Sequence, residues 1–377
     1  ASLDHPDSVL QVNGVLSAKG GAAGGDGGQI ETSASKVLIG DATHIATNAP
    51  QGTGGQWLID PTDFTVGSAA GNDISGTTLG ANLNGGAVVI SSSNGGTGTS
   101  GNININDAVS WSSANKLTLS AANNININNA IHVPVGGSVA LVYGTSVGTG
   151  DYNFGSFSAS KTEFTGSINF AGTGAGLFTT QLGTNAVDSY TVITNPSTYV
   201  ANSNATGSIL SSSGKYALGQ NYTFDRSFTA SPITGTFTGK FEGLGHTIGN
   251  LTGTGAMGLF SNSSGLIRDV GVNVSISNAN TGTGGLVNTN SGVIKNSFAN
   301  ASITSVANGT LGGLVGTNSG LITNSFAISQ RDKFKPCETD WRFGYQEGSE
   351  RDMHAQTLRL SPLTCELAAP DVLPTGV

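Results

Sequence analysis

The segment "NININDAV" from Asn102 returns as "NININNAI" from Asn124, and "KLTL" from Lys116 is matched by "SVAL" from Ser138, in both cases 22 residues on. Alternation places Ile103 and Ile105 on one face and Asn102, Asn104 and Asn106 on the other, the period-two pattern of a half-buried strand. If each 22-residue unit is one coil of a solenoid, Ile125 stacks on Ile103 and Ile127 on Ile105. Identical side chains then form ladders through a continuous core.

A second repeat follows with a longer period. "MGLFSNSSGLIRDVGV" from Met257, "GGLVNTNSGVIKNSFA" from Gly284 and "GGLVGTNSGLITNSFA" from Gly312 align without gaps. Gly258, Gly285 and Gly313 head them, at spacings of 27 and 28. In each unit an apolar pair follows the glycine, then a polar corner, a second apolar pair and another polar corner. Leu286, Val287, Val293, Ile294 and Phe298 have counterparts in Leu314, Val315, Leu321, Ile322 and Phe326. Short strands separated by sharp turns account for this pattern.

No stretch sustains a helical apolar period, so a nearly all-β chain is expected. Together the repeats predict a parallel β-helix, a solenoid with four divisions. Residues 1–150 form coils of about 22 residues, and 151–235 an irregular β region with room for insertion loops. Residues 236–328 form coils of 27–28 residues, and 329–377 a short tail that does not match, disordered or foreign to the fold. At a strand spacing of roughly 4.8 Å, such a body makes about 12 to 15 coils and a rod about 60 to 70 Å long. A β-sandwich array would instead need antiparallel hairpins and loops of no fixed period.

Composition agrees with the pattern. The 377 residues include 57 glycines, and only 10% are charged while 37% are hydrophobic. Asn, Ser, Thr and Gly stand where Lys and Glu usually do, and these residues favour turns and strands over helix interiors. A net charge of -8 argues against nucleic acid or an anionic membrane as partner. No 18-residue apolar run is present, and "ASLDHPDSVL" lacks the basic and apolar regions of a signal peptide. The expectation is a cytosolic protein or an internal piece of an exported one. The first 330 residues carry nine Lys/Arg and fifteen Asp/Glu, and the last 47 hold the other fourteen charges with both cysteines, Cys337 and Cys365. The cysteine-free body has no disulfide framework and no cysteine-based zinc site.

The unit "GLVGTNSGLITNS" resembles the GLUG repeat of large bacterial surface proteins, and "FTGKFEGLGHTIGNLTG", residues 237–253, is similar to the stretch that commonly precedes it. "GGDGGQIETSASKVLIG", "TNAPQGTGGQWLIDPTDFTV" and "NDISGTTLGANL", followed by the Asn-Ile coils, resemble the segment behind the secretion domain of filamentous-haemagglutinin-like exoproteins. The two resemblances cover most of residues 24–327. They imply an adhesin exported by two-partner secretion, folded as a right-handed parallel β-helix. The secretion domain's Asn-Pro-Asn-Gly motif is missing, so the chain reads as an internal fragment.

Candidate chemistry is sparse. "GTGTSG", Gly96 to Gly101, fits the dinucleotide fingerprint, which needs a strand before it and a helix after it; the alternating "NININ" follows, so a turn is favoured. "GTNSGLITNS" lacks the Lys of a phosphate-binding loop. Asp60 and Asp63 in "WLIDPTDF" have the makings of a glycosidase carboxylate pair. Asp-Pro and Thr-Asp are also turn formers, and no basic residue lies between Lys36 and Lys116 to hold an acidic sugar, so the turn is preferred. His5, His44, His132, His246 and His354 never fall at metal-ligand spacing, and "GGDGG", Gly24 to Gly28, does not recur every nine residues as calcium-binding repeats do. His246 is expected to be structural, at a coil corner. Seven tripeptides fit the glycosylation acceptor pattern, from Asn204, Asn221, Asn250, Asn262, Asn273, Asn300 and Asn308, and a chain this rich in Asn, Ser and Thr produces many by chance. No catalytic, cofactor-binding or metal-binding residue is assigned.

Three functions compete. The first is a non-catalytic structural and binding segment of a secreted surface adhesin, its partners a host or neighbouring-cell receptor or glycan and an outer-membrane transporter for the full-length protein. The second is a polysaccharide-active β-helix enzyme, which needs acids clustered on one face with Lys or Arg nearby, whereas the fifteen body acids are scattered. The third is a haem-carrier-capturing exoprotein, whose mark would be insertion loops at 150–235, where "DYNFGSFSASKTEFTGSINF" and "KYALGQNYTFDRSF" gather the aromatics. Core stacking is the simpler account of those rings, and the adhesin segment is the expectation carried forward.

Overall fold

The computed structural model describes residues 7–93, 100–146, 148–155, 163–193, 210–279, 282–305 and 311–329. Stacked parallel strands form a β-solenoid of about 10 turns. The turn number falls short of the 12 to 15 expected, because several coils are longer than the repeats suggest: Trp57 pairs with Val88, and Val139 with Phe178. The 22-residue step links Ile103 to Ile125 and Lys116 to Ser138 in the expected register, but it is one coil length among several in the first half.

The first stack has three faces. Its main sheet joins Gln29–Ser33, Gln56–Asp60, Ala87–Ser91, Lys116–Ser120, Ser138–Tyr143 and Gly174–Leu182, all parallel. A second face stacks Phe64–Val66, Ile103–Ile105, Ile125–Ile127 and Tyr152–Asn153, and a third stacks Val109–Ser110, Ala130–Val133 and Ser167–Phe170. Ile103, Ile105, Ile125 and Ile127 are fully buried, so the isoleucine ladder is the core. Outside, Asn126 Nδ2 donates to Asn104 Oδ1 at 2.8 Å and Asn128 Nδ2 to Asn106 Oδ1 at 2.7 Å.

One element departs from the all-β expectation. Gly76–Leu83 is an α-helix whose N-cap, Ser75, accepts from the Thr78 amide and whose Leu79 and Leu83 are fully buried. Asp107 Oδ2 accepts from the Gly76 amide at 2.9 Å, so a carboxylate also faces the first turn. The helix lies so close to the strand Val109–Ser110 that a Cβ on Gly80 would sit 2.1 Å from the Ser110 carbonyl oxygen.

At the end of the first stack the chain reverses. Gly174–Leu182 pairs antiparallel with Asp188–Ile193, and from there the sheet continues in parallel through Lys215–Leu218, Lys240–Thr254, Leu266–Ala279, Val293–Lys295 and Leu321–Thr323. The 27- and 28-residue repeats pair as expected, Phe260 with Val287 and Val287 with Val315. Corners in this second stack use left-handed residues in register: Asp269 (φ 55), Asn296 (φ 48) and Asn324 (φ 45). Asn and Asp tolerate that conformation better than other side chains with a Cβ. Here they also bond to one another, Asn324 Nδ2 to Asn296 Oδ1 at 2.8 Å and Asn296 Nδ2 to Asp269 Oδ1 at 3.1 Å.

The core changes sides at the reversal. Phe178, Tyr190, Val192 and Ala217 belong to the first core, whereas Ile193, Tyr216 and Leu218, their alternating neighbours, belong to the second. Successive side chains of a strand point to opposite faces, so one sheet carries two cores on its two faces. Reversing the strands alone would invert the winding sense of a coil. Moving the core to the other face inverts it again, and the two changes cancel. The expected boundary at 329 shifts slightly, since Ser329 ends the strand Phe326–Ser329 in the last coil; the rest of the tail lies outside the described residues.

Candidate functional site

Where the stacks overlap, the end of the first covers the outer row of the second. Glu242, Arg268, Lys295 and Thr323 occupy equivalent positions on successive coils, paired in register. Neighbours on the same strands, Phe241, Ile267 and Ile294, are buried in the second core. The outer row would therefore face water, but Asp151 and Tyr152 of the first stack lie on it. Glu242 is 0% exposed and Arg268 4%, while the Lys295 side chain, farther from the overlap, is 33% exposed.

Arg268 is the hub. Its Nη1 donates to Asp151 Oδ1 at 3.0 Å, its Nη2 to the Tyr152 carbonyl oxygen at 2.6 Å and its Nε to Asp269 Oδ2 at 2.5 Å. The guanidinium also lies 3.8 Å from the centre of the Tyr152 ring, a desolvated cation–π contact. Burial opposes its charge, but the neighbouring carboxylates, Asp269 first, outweigh that and hold it protonated. Lys295 pairs with Asp151. Tyr152 donates its hydroxyl to Glu242 Oε1 at 2.7 Å, and Glu242 Oε2 has no hydrogen-bond partner among the described residues. Burial pushes the Glu242 carboxyl up to about 8, partly offset by Arg268.

His246 closes the other side of the overlap. The bend before it, Leu244 (φ 52) and Gly245 (φ 80), brings the backbone so near the first stack that a Cβ on Gly245 would lie 2.2 Å from the Gly166 carbonyl oxygen. Its Nε2 meets the Ile168 carbonyl oxygen at 3.0 Å, and its Nδ1 lies 3.3 Å from Asn221 Oδ1. Burial lowers its pKa to about 4, against the bond to Ile168, so the ring is neutral.

The residues singled out in the sequence are spread elsewhere. Asp63 accepts the Asn102 amide at 2.9 Å and the Ser100 amide at 3.2 Å, so its carboxylate caps a turn. Asp60 ends its strand half-buried, its pKa raised by burial and then by Glu31. His44 and His132 are exposed on separate strands; His5, His354, Gly96, Asn204, Asn308 and both cysteines lie outside the described residues. Among the glycosylation candidates, Asn221 Oδ1 holds the Thr247 amide and Asn250 Nδ2 donates to the Phe224 carbonyl oxygen at 2.6 Å. The aromatics Tyr152, Phe154, Phe170, Phe178, Tyr190, Tyr216, Phe224 and Phe228 are all buried.

The second stack also carries a row of outward hydroxyls. Ser227, Thr252, Ser275 and Ser302 follow one another in register, with Thr254 beside Ser277. The Ser227 and Thr252 hydroxyls bond at 2.9 Å. Ser227, Thr252, Thr254, Ser275 and Ser277, with Phe228 and Gly253, line a shallow groove of about 320 Å³. No family model, curated protein or solved structure matches the chain.

Proposed function

We propose that the chain is a non-catalytic structural and binding segment of a secreted bacterial surface adhesin of the filamentous-haemagglutinin-like kind. The observation that carries this reading is the in-register stacking itself. Within each stack the coils share a core, and side-chain ladders such as Asn104–Asn126 and Asn296–Asn324 tie one coil to the next. An elongated body of that kind spaces a contact surface away from a cell and spreads contact over many coils. The resemblance to GLUG repeats and to haemagglutinin-like exoproteins supports it, and Asp63, committed to backbone amides, gives the enzymatic alternative little to build on. The groove along Ser227, Thr252 and Ser275 is the surface where a receptor or glycan would lie. Export through an outer-membrane transporter and display at the cell surface belong to the same reading.

The test is adhesion of the purified full chain, on beads, to host cells and to bacteria, alongside a neutral and acidic glycan panel with a reducing-sugar assay. Saturable binding without sugar release is expected. Reproducible cleavage would overturn the non-catalytic reading, and failure to bind any cell or glycan would overturn the binding role.

A further inference from the structure

We propose that the joint between the two stacks is a proton-operated latch, tightest in mildly acidic solution, in which the closed overlap holds a proton on Glu242.

Among the described residues, the charges in the overlap do not balance. Three carboxyls, Asp151, Glu242 and Asp269, meet two bases, Arg268 and Lys295. Arg268 bonds Asp151 and Asp269, and Lys295 bonds Asp151 again. Glu242 is left with a hydroxyl donor, Tyr152, and the Arg268 Nε at 3.5 Å, while its other oxygen is buried with no hydrogen-bond partner among the described residues. A carboxylate buried with one oxygen unpartnered is strongly disfavoured in its ionised form. Neutralising one group removes the excess charge, and the geometry selects the one whose oxygen is unpartnered. Adjacent groups do not compensate: Tyr143 and Tyr190 are pushed up by burial and stay neutral, His246 is neutral, and Asp188 is engaged by Lys215 and Lys240.

The sign follows. Once the overlap opens, Glu242 returns to its ordinary range near 4.5, whereas in the closed joint it keeps its proton up to about 8. Raising the pH between those limits removes the proton from the open state first, so the closed joint weakens, its opening constant rising by at most about tenfold per pH unit. Asp269, also raised by burial, acts in the same direction. His246 acts oppositely: lowered from 6.5 to about 4, it withdraws stability as the pH falls through that interval. Between 6.5 and about 8 the Glu242 effect is unopposed.

Hydrogen exchange of the full chain, followed by mass spectrometry on peptides covering Tyr143–Phe154 and Ser167–Phe170 and corrected for intrinsic rates, reads the latch. Between pH 6.5 and 8 exchange there should accelerate about tenfold or more, while peptides around Ile103–Ile105 stay flat. Glu242→Gln, which keeps the shape without the charge, should remove most of the acceleration. Infrared spectroscopy of the unaltered chain is independent of any variant: a protonated-carboxyl stretch should persist at neutral pH and vanish above about pH 9. Equal exchange at pH 6.5 and 8, an unchanged slope in Glu242→Gln, or no protonated carboxyl at neutral pH would each overturn the proposal.

Discussion

The two stacks solve the same problem with different corners. In the second, the left-handed corners Asp269, Asn296 and Asn324 bond to one another, and the coils that carry them hold to 27 or 28 residues. In the first, asparagine rows lie on strand faces, at Asn104 and Asn126, and just beyond the strands, at Asn106 and Asn128, but among the described residues no left-handed Asn or Asp stands at its corners. Coil length there drifts: one coil admits a helix, and the coil between Val139 and Phe178 is much longer than its predecessor. A ladder placed at a corner fixes where the chain must turn, whereas one placed on a strand fixes only which strands are neighbours.

The strongest way to break the comparison is at the overlap, where Arg268 of the second stack meets Asp151 and Tyr152 of the first. Arg268→Ala strands Asp269 and Asp151 beneath Tyr152 and should cost about 3–5 kcal/mol, read as a lower denaturant midpoint. Next comes the corner ladder. Asn296→Ala places a strained left-handed Ala at φ 48 and removes the donor to Asp269, for about 2–3 kcal/mol. Asn126→Ala, on a strand face of the first stack, should cost about 1 kcal/mol or less. If it equals the corner substitution, the distinction between corners and faces fails. Smallest is Lys295→Ala, in the same row as Arg268 but a third exposed, at about 0.5 kcal/mol after screening.

Much of the architecture was legible because identical residues recur at the positions that pair. Ile103 and Ile125 announce their ladder, and so do Val287 and Val315. The helix was not, since its eight residues include two glycines and bury Leu79 and Leu83, too short a run to show a period. The reversal was hidden for another reason. In Asp188–Ile193 and Lys215–Leu218 both sets of alternating residues enter a core, which erases the alternation that marks a face. The overlap did leave a signal: Arg268, Lys295 and Thr323 align within the three repeat units, and Glu242 joins them on the preceding coil. In a body this poor in charge, three charged side chains at one repeat position mark a surface that meets something, though not what it meets.

The exchange of faces at the hairpin also has a mechanical meaning. Pulling a solenoid along its axis loads the hydrogen bonds between coils in direct tension, one ladder after another. At the joint the two bodies overlap sideways, with Tyr152 and Ile168 lying across the coils that carry Glu242, His246 and Arg268. There the same pull acts in shear across many contacts at once. A rod built this way carries its splice as a lap joint, and under load the plain coils on either side are expected to part before it does.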